Sequence, residues 1–463
     1  MDSIKTAETI KELLLQPQRK DSGSPQQVRE LLAKARLLKG LTLDDTAVLL
    51  DVEDEDLLEE MFQTAREIKE TIYGNRMVIF APLYISNECS NGCLYCAFRT
   101  ANKAIHRATL NQQQIAEEVR ILLRSGQKRI LVVAGEHQKK AGIEYLEESI
   151  ATAYATKVER GEIRRLNVNC APMEIEDFKR LKAAGIGTYQ CFQETYDPQL
   201  YKIMHPTGPK SDYLYRRTVM ERAMKAGIND VGIGPLLGLG DYKFEILSTL
   251  AHAIELDQVF GVGPHTISIP RLEPATGTPL ADNPPKPVSD KDFKKIVAAL
   301  RMAVPYTGMI LSTREAPGLR REVFKLGISQ ISAGSRTDIG GYKQGDRKDG
   351  QFSLGDHRPL EEVLYELLTD GFVPSFCTAC YRLGRTGHDF MDLAKPGVIK
   401  SYCHPNALLT LKEYLEDYAS PKTKELGNKV IAEQLEHIPS PQRRQNAIEK
   451  LKSIETGHRD LYF

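Results

Sequence analysis

The chain has 463 residues, with 62 Lys plus Arg against 62 Asp plus Glu. That length supports one large barrel with attached elements or two to three average domains, and zero net charge without a basic run excludes an evident electrostatic partner such as nucleic acid or an anionic membrane. The longest apolar runs, such as 77–83, fall far short of the roughly 20 residues that cross a bilayer, and 1–20 is polar rather than signal-like, so a cytoplasmic protein is expected.

The first 75 residues read as a helical extension. Ser24-Pro25 begins one helix, Thr42 with Asp45 resembles a capping box for the next, and Leu57, Leu58, Met61, Ala65, Ile68 and Ile72 mark the inner face of a third that Gly74 ends. From residue 76 short apolar strands alternate with amphipathic stretches. Eight strands are expected, at 77–83, 129–133, 166–170, 188–193, 230–235, 265–270, 309–312 and 330–333. Eight βα units predict an α/β protein built as a closed (β/α)8 barrel of the TIM type over 76–345, with a doubly wound open sheet as the competing architecture. The Gly- and Asp-rich stretch 334–358 reads as loop. Helices at 359–370, 406–418 and 425–438 then make 346–463 a mainly helical C-terminal domain.

Six of the eight cysteines fall into two short-spaced groups, which fits metal binding better than a disulfide framework. Cys170 and Cys191 sit in apolar runs and read as packing residues. Cys89, Cys93 and Cys96 follow the first strand in a C-x3-C-x2-C spacing, with Gly92 letting the backbone turn around a bound group. Zinc wants a fourth ligand, and no fourth cysteine or histidine pair is spaced nearby. A 4Fe-4S cluster on three cysteines keeps one iron open. The second group, Cys377 and Cys380 followed after 22 residues by Cys403, is another three-thiolate set. A redox dithiol would leave Cys403 idle, zinc with His404 as fourth ligand is an alternative, and a second open cluster accounts for all three thiols.

The first spacing, with Tyr95 inside it and Ala97-Phe98 after it, resembles the radical SAM superfamily, in which a reduced cluster cleaves S-adenosylmethionine (SAM). Several segments extend the resemblance. Ala134-Gly135-Glu136 resembles the family's Gly-Gly-Glu motif, with Ala134 replacing the first glycine. Glu194 in Gln193-Glu194-Thr195-Tyr196 looks like a SAM contact, and Arg216, or its neighbour Arg217, like the arginine for the SAM carboxylate. The two cysteine groups on one chain resemble the radical SAM tyrosine lyases that mature iron-iron hydrogenases. The tyrosine lyase of thiamine biosynthesis resembles 76–358 and lacks the second group.

The resemblance implies cleavage of L-tyrosine to p-cresol and dehydroglycine. Carbon monoxide and cyanide would form from dehydroglycine at the C-terminal cluster, yielding an iron precursor for the hydrogenase. It also implies SAM, two 4Fe-4S clusters, an extra labile iron on the second with His265 as ligand, a reductant protein and other hydrogenase maturation proteins as partners. His265 opens the sixth strand and would face the rim opposite the SAM site, separating the clusters by roughly 20 Å at about 3.3 Å per strand residue. Arg314, with Ser312, ends the seventh strand and would fork onto the tyrosine carboxylate. A zinc-stabilised barrel without catalysis is the reading from a different class.

Overall fold

All eight expected strands form, and they close. The computed structural model describes residues 3–15, 23–345 and 348–463. The parallel strands are β1 (Arg76–Ser86), β2 (Arg129–Ala134), β3 (Arg165–Asn169), β4 (Tyr189–Gln190), β5 (Val231–Ile233), β6 (Thr266–Ser268), β7 (Gly308–Leu311) and β8 (Gln330–Ser332). Each pairs with its sequence neighbour, and β8 returns to β1 through Val78↔Gln330, Ile79↔Ile331 and Phe80↔Ser332. Closure rules out the open sheet. Every residue of β1 is buried, because one face lines the barrel and the other meets helices, which is why this strand reads as a continuous apolar run.

A ninth strand, β9 (Val373–Ser375), was not evident from the sequence. It is three residues long, and Pro374 argues against a central strand. It pairs with Arg76–Val78 at the start of β1. Val78 pairs with both Gln330 and Ser375, so β9 takes the edge of β1 away from β8, below the point where β2 joins at Ala81. Cys377 is thereby set at the N-terminal end of the barrel, two residues beyond β9.

The N-terminal helices Pro25–Ala35, Leu43–Leu50 and Glu55–Tyr73 start where expected. Ser24 caps the first, and Thr42 and Asp45 exchange side-chain and backbone hydrogen bonds at the second, an arrangement worth about 1 kcal/mol. Another helix, Ser3–Leu15, precedes them. These helices pack on the barrel helices Tyr242–Phe260 and Asp290–Ala303. The expected division between barrel and C-terminal domain falls at Asp346, which with Arg347 lies outside the described residues, as do parts of the stretch 1–20.

One expected boundary is corrected. The helix read as starting at 406, after Pro405, runs Lys400–Asp417 with Pro405 inside it. Pro405 has no N–H for the Ser401 carbonyl, and Arg443 Nη1 donates to that oxygen at 3.1 Å instead. The helix therefore begins early enough to carry Cys403.

Candidate active site at the two ends of the barrel

At the C-terminal ends of the strands lies a cavity of about 180 Å3, lined by Cys89, Cys93 and Cys96 together with Ala134, Gly135, Glu136, Glu194, Arg216, Ser312 and Arg314. Ten residues from widely separated parts of the sequence thus share one space, at the rim where barrels of this kind keep their chemistry. All eight cysteines are free thiols. Three thiols on one loop facing one cavity are the donor set an open 4Fe-4S cluster needs. Among the described residues, no three His, Cys, Asp or Glu side chains are gathered tightly enough to form a single-ion site.

Close backbone packing shapes the cysteine loop. A Cβ on Gly92 would meet Thr207 Oγ1 at 2.2 Å, so this glycine is required by the approach of the 204–210 segment rather than by a left-handed φ. That segment holds the loop through Gly92 N donating to Thr207 O (3.0 Å) and Leu94 N to Met204 O (3.0 Å). Tyr95 Oη and His205 Nε2 share a further hydrogen bond of 2.7 Å. A Cβ on Gly135 would meet the Glu88 carbonyl at 2.4 Å, which sets the end of β2 hard against the same loop.

Four of the charges in this cavity form two ion pairs, Arg216 with Glu136 and Lys210 with Glu194. Arg216 Nη1 donates to Glu136 Oε1 at 2.7 Å, and Asn91 Nδ2 to Glu136 Oε2 at 2.8 Å. Burial pushes Glu136 up, but Arg216 and Lys210 outweigh it and hold the carboxyl below its usual range. Arg217 points elsewhere, into a buried pair with Glu255, so of the two adjacent arginines it is Arg216 that reaches the cavity. Glu194 has φ +70°, rare for a side chain of its size, and its turn is fixed by Leu236 N donating to Glu194 O and by Glu245, which accepts from Thr195 Oγ1 and Tyr196 N. Burial raises the thiols, Cys93 to about 12 and Cys96 to about 11, with the Lys210 ammonium opposing it.

Arg314 stacks its guanidinium on the Phe352 ring at 3.3 Å and donates to the Arg271 carbonyl at 3.3 Å. The acids that would explain it as a surface ion pair are taken: Glu315 by Arg271, Glu322 by Lys294. Among the described residues no carboxylate pairs with Arg314. Ser312 lies beside it, accepting the Arg314 N–H at 3.4 Å.

The opposite end of the barrel is different in kind. Cys403 acts on Cys380 to lower its thiol against the effect of burial, with Arg385 assisting, and Cys380 in turn raises Cys403. Cys377, at φ +49°, and both of its partners act on Arg76, whose charge they stabilise against burial. Arg76, Arg129 and Arg165 stand at the first positions of β1, β2 and β3 and are all buried. Arg129 Nη2 reaches across the interior to Gln330 Oε1 (2.9 Å), while the Nε atoms of Arg76 and Arg129 are buried without a partner. His265 is buried, packed on Phe390 at 4.7 Å between ring centroids, with Nδ1 3.6 Å from Asp230 Oδ1 and making no hydrogen bond. Burial lowers its pKa to about 4 against the pull of Asp230, so the imidazole is neutral and able to ligate a metal. His404 turns Nε2 to the Gln434 carbonyl at 3.0 Å.

Sequence reasoning missed Lys210, Asn91, Tyr84 and Gln351. Gln351 Nε2 donates to Cys96 Sγ at 3.8 Å and its Oε1 accepts from Tyr84 at 2.9 Å. Gln351 lies in a stretch that has only loop composition, so nothing in its spacing marks it. Cys170 and Cys191 are buried as expected, although Cys170 also lines the cavity.

Comparison with known proteins agrees with this geometry. Residues 83–253 match the radical SAM superfamily and 268–373 the biotin and thiamin synthesis associated domain. The 2-iminoacetate synthase of Salmonella typhimurium is 32% identical over 335 residues, covering 72% of this chain and 86% of that protein. A crystal structure of HydG, a maturase of the [FeFe]-hydrogenase, superimposes with TM-score 0.96 at 53% identity and full coverage of both chains. HydG from Carboxydothermus hydrogenoformans gives 0.84 at 40% identity, covering 97% of this chain and 98% of that one. The chain therefore belongs to the radical SAM tyrosine lyase family that includes 2-iminoacetate synthase and HydG, enzymes of a 4Fe-4S cluster and SAM.

Proposed function

We propose that this enzyme cleaves L-tyrosine to p-cresol and dehydroglycine at the upper cavity. At the lower triad it then converts dehydroglycine to carbon monoxide and cyanide, delivering an iron-carbonyl-cyanide precursor for the hydrogenase cofactor. The observation that carries this reading is the pair of cysteine triads at opposite ends of one barrel, the second with a neutral histidine and buried arginines around it. Cys89, Cys93 and Cys96 would hold a cluster that, with SAM, would supply radical chemistry to the substrate.

The chain's own residues bind and orient. Arg314, free of any carboxylate partner, forks onto the tyrosine carboxylate with Ser312 assisting, and Phe352 supports the face of the guanidinium. The strand end Ala134–Glu136 offers backbone groups to the methionine amine of SAM, Arg216 takes its carboxylate and Glu194 its polar nucleoside groups. At the lower end Cys377, Cys380 and Cys403 would hold the second cluster, and His265, with Nδ1 facing Asp230, would be the histidine available to an extra iron.

The cavity lining descends through Asn169, Gln190, Ser268 and Ser332. Thr266 and Gln190 pack directly on Gly232, where an added Cβ would meet Thr266 Oγ1 at 2.5 Å. Below lie Arg129, Arg165 and Gln330, donors suited to a carboxylate-bearing fragment. Partners are the tyrosine substrate, a low-potential reductant protein and other hydrogenase maturation proteins.

Anaerobic incubation of reconstituted protein with tyrosine, SAM and dithionite tests this. The expected products are p-cresol, carbon monoxide and cyanide. Formation of p-cresol without carbon monoxide or cyanide assigns the chain to the thiazole branch, where dehydroglycine is released. The 2-iminoacetate synthase similarity favours that second reading over the barrel region alone.

A further inference from the structure

Lys210 was not singled out by the sequence, yet it is a buried cation of the upper cavity held at both its backbone and its ammonium. Its backbone N–H donates to Asn91 Oδ1 at 2.8 Å, and the same Asn91 side chain donates to Glu136, so one residue of the cysteine loop fixes both. Gly208, at φ +89°, lies so close to the loop that an added Cβ would meet the Ser90 carbonyl at 2.4 Å, clamping the backbone two residues before Lys210. The ammonium is buried. It bonds Glu194 Oε1 at 2.7 Å and stands 5.6 Å from the centroid of Tyr95, the ring between Cys93 and Cys96.

A buried lysine with a single acid partner is expensive to desolvate unless further negative charge faces it. Lys210 lines the same cavity as Cys89, Cys93 and Cys96, and its backbone is bonded to the loop that carries them. Three thiolates on a cluster would supply the missing negative charge.

We propose that Lys210 is the counter-charge of the upper cluster: anchored to the cysteine loop through Asn91 and tied to Glu194, its ammonium raises the reduction potential of the cluster held by Cys89, Cys93 and Cys96. The inference rests on the upper triad being the cluster site and names the residue that makes that site reducible. A fixed positive charge at short range in a medium of low dielectric stabilises the state carrying one more electron, with no bond made or broken at the lysine. Lys210 touches neither tyrosine nor the reacting bond, so it is a positioning residue.

The test is potentiometric EPR titration of full-length reconstituted protein with dithionite as electron source, following the signal that shifts when SAM is added. Lys210→Met should lower the reduced-to-oxidised ratio at fixed potential on the order of tenfold, a midpoint shift of about 59 mV to more negative values for one electron. Lys210→Arg keeps the charge and should restore the wild-type midpoint, which a merely structural role would not require. Should Lys210→Met leave Glu194 unpaired and fail to fold, Lys210→Gln keeps a donor for Glu194 Oε1 without the charge, and its midpoint should also move negative. A neutral variant with normal iron content and an unchanged midpoint overturns the inference alone. A wild-type protein without any SAM-responsive signal overturns the reading of the upper triad, and this inference with it.

Discussion

Two cysteine triads, one on a single short loop and the other shared between the segment after β9 and the helix Lys400–Asp417, are prepared in opposite ways. At the upper end the thiols are pushed up by burial, and the acids and cations around them pair one to one: Glu136 with Arg216, Glu194 with Lys210. At the lower end Arg76, Arg129 and Arg165 converge with Asp230 as their near acid, and two arginine Nε atoms are left without partners. Burial and Arg165 bring the Arg129 pKa down to about 9, a sign of positive charge awaiting compensation. Two ion pairs with Arg314 left over suit a ligand that brings its own carboxylate, such as SAM or an amino acid. An excess of buried positive charge suits anions: thiolates on a cluster, cyanide, or a carboxylate fragment. The difference teaches that the same three-thiol device is assigned its chemistry by the charges around it.

Three predictions break or sharpen this contrast. The largest effect belongs to the lower triad. Cys377→Ala with Cys380→Ala should abolish carbon monoxide while p-cresol stays within about twofold of wild type, because the upper cavity contains none of these residues. Parallel loss of both products would mean the ends do not act separately. Next is Arg314→Ala, which removes a charged fork from the substrate carboxylate, a loss of about 1.5–3 kcal/mol. The tyrosine KM should rise roughly 10–100-fold while SAM cleavage persists; equal loss of both would move Arg314 from the tyrosine to the SAM side.

The smallest effect concerns Glu245, which supports the Glu194 turn. Burial, opposed by Thr195 and Tyr196, raises its folded pKa to about 8 from 4.5. A carboxyl kept neutral by the fold contributes its full stability below the unfolded pKa, and that stability is lost as pH rises from about 4.5 through about 8, because the unfolded chain ionises freely. Glu245→Gln should therefore flatten the fall in Tm between pH 5 and pH 8 by roughly 2–4 °C. A steeper fall in the variant would show that the carboxyl is ionised in the fold.

Much of this architecture is legible in the sequence. The eight strands stand out because each is a short apolar run bounded by an amphipathic helix, and the upper triad because three cysteines fall within eight residues. What stayed hidden depends on contacts between distant segments. β9 carries a proline and too few residues to signal a strand, yet it places Cys377 at the barrel floor. Lys210 resembles any lysine near a turn until the 204–210 segment closes on the cysteine loop. Pro405 reads as a helix boundary because the compensating donor, Arg443, lies 38 residues further along. The three arginines of the floor are inconspicuous as well: each opens an apolar strand, where a charged residue ordinarily reaches solvent.

The claim on which the rest depends is that one barrel holds two independent clusters, one at each end. Iron analysis and EPR of anaerobically reconstituted wild type, beside the Cys377→Ala, Cys380→Ala variant, test it directly. The account predicts about eight to nine irons in the wild type and two reduced signals, of which one responds to SAM and survives in the variant while the other disappears. About four irons and a single signal, unchanged by removing the lower cysteines, would contradict it.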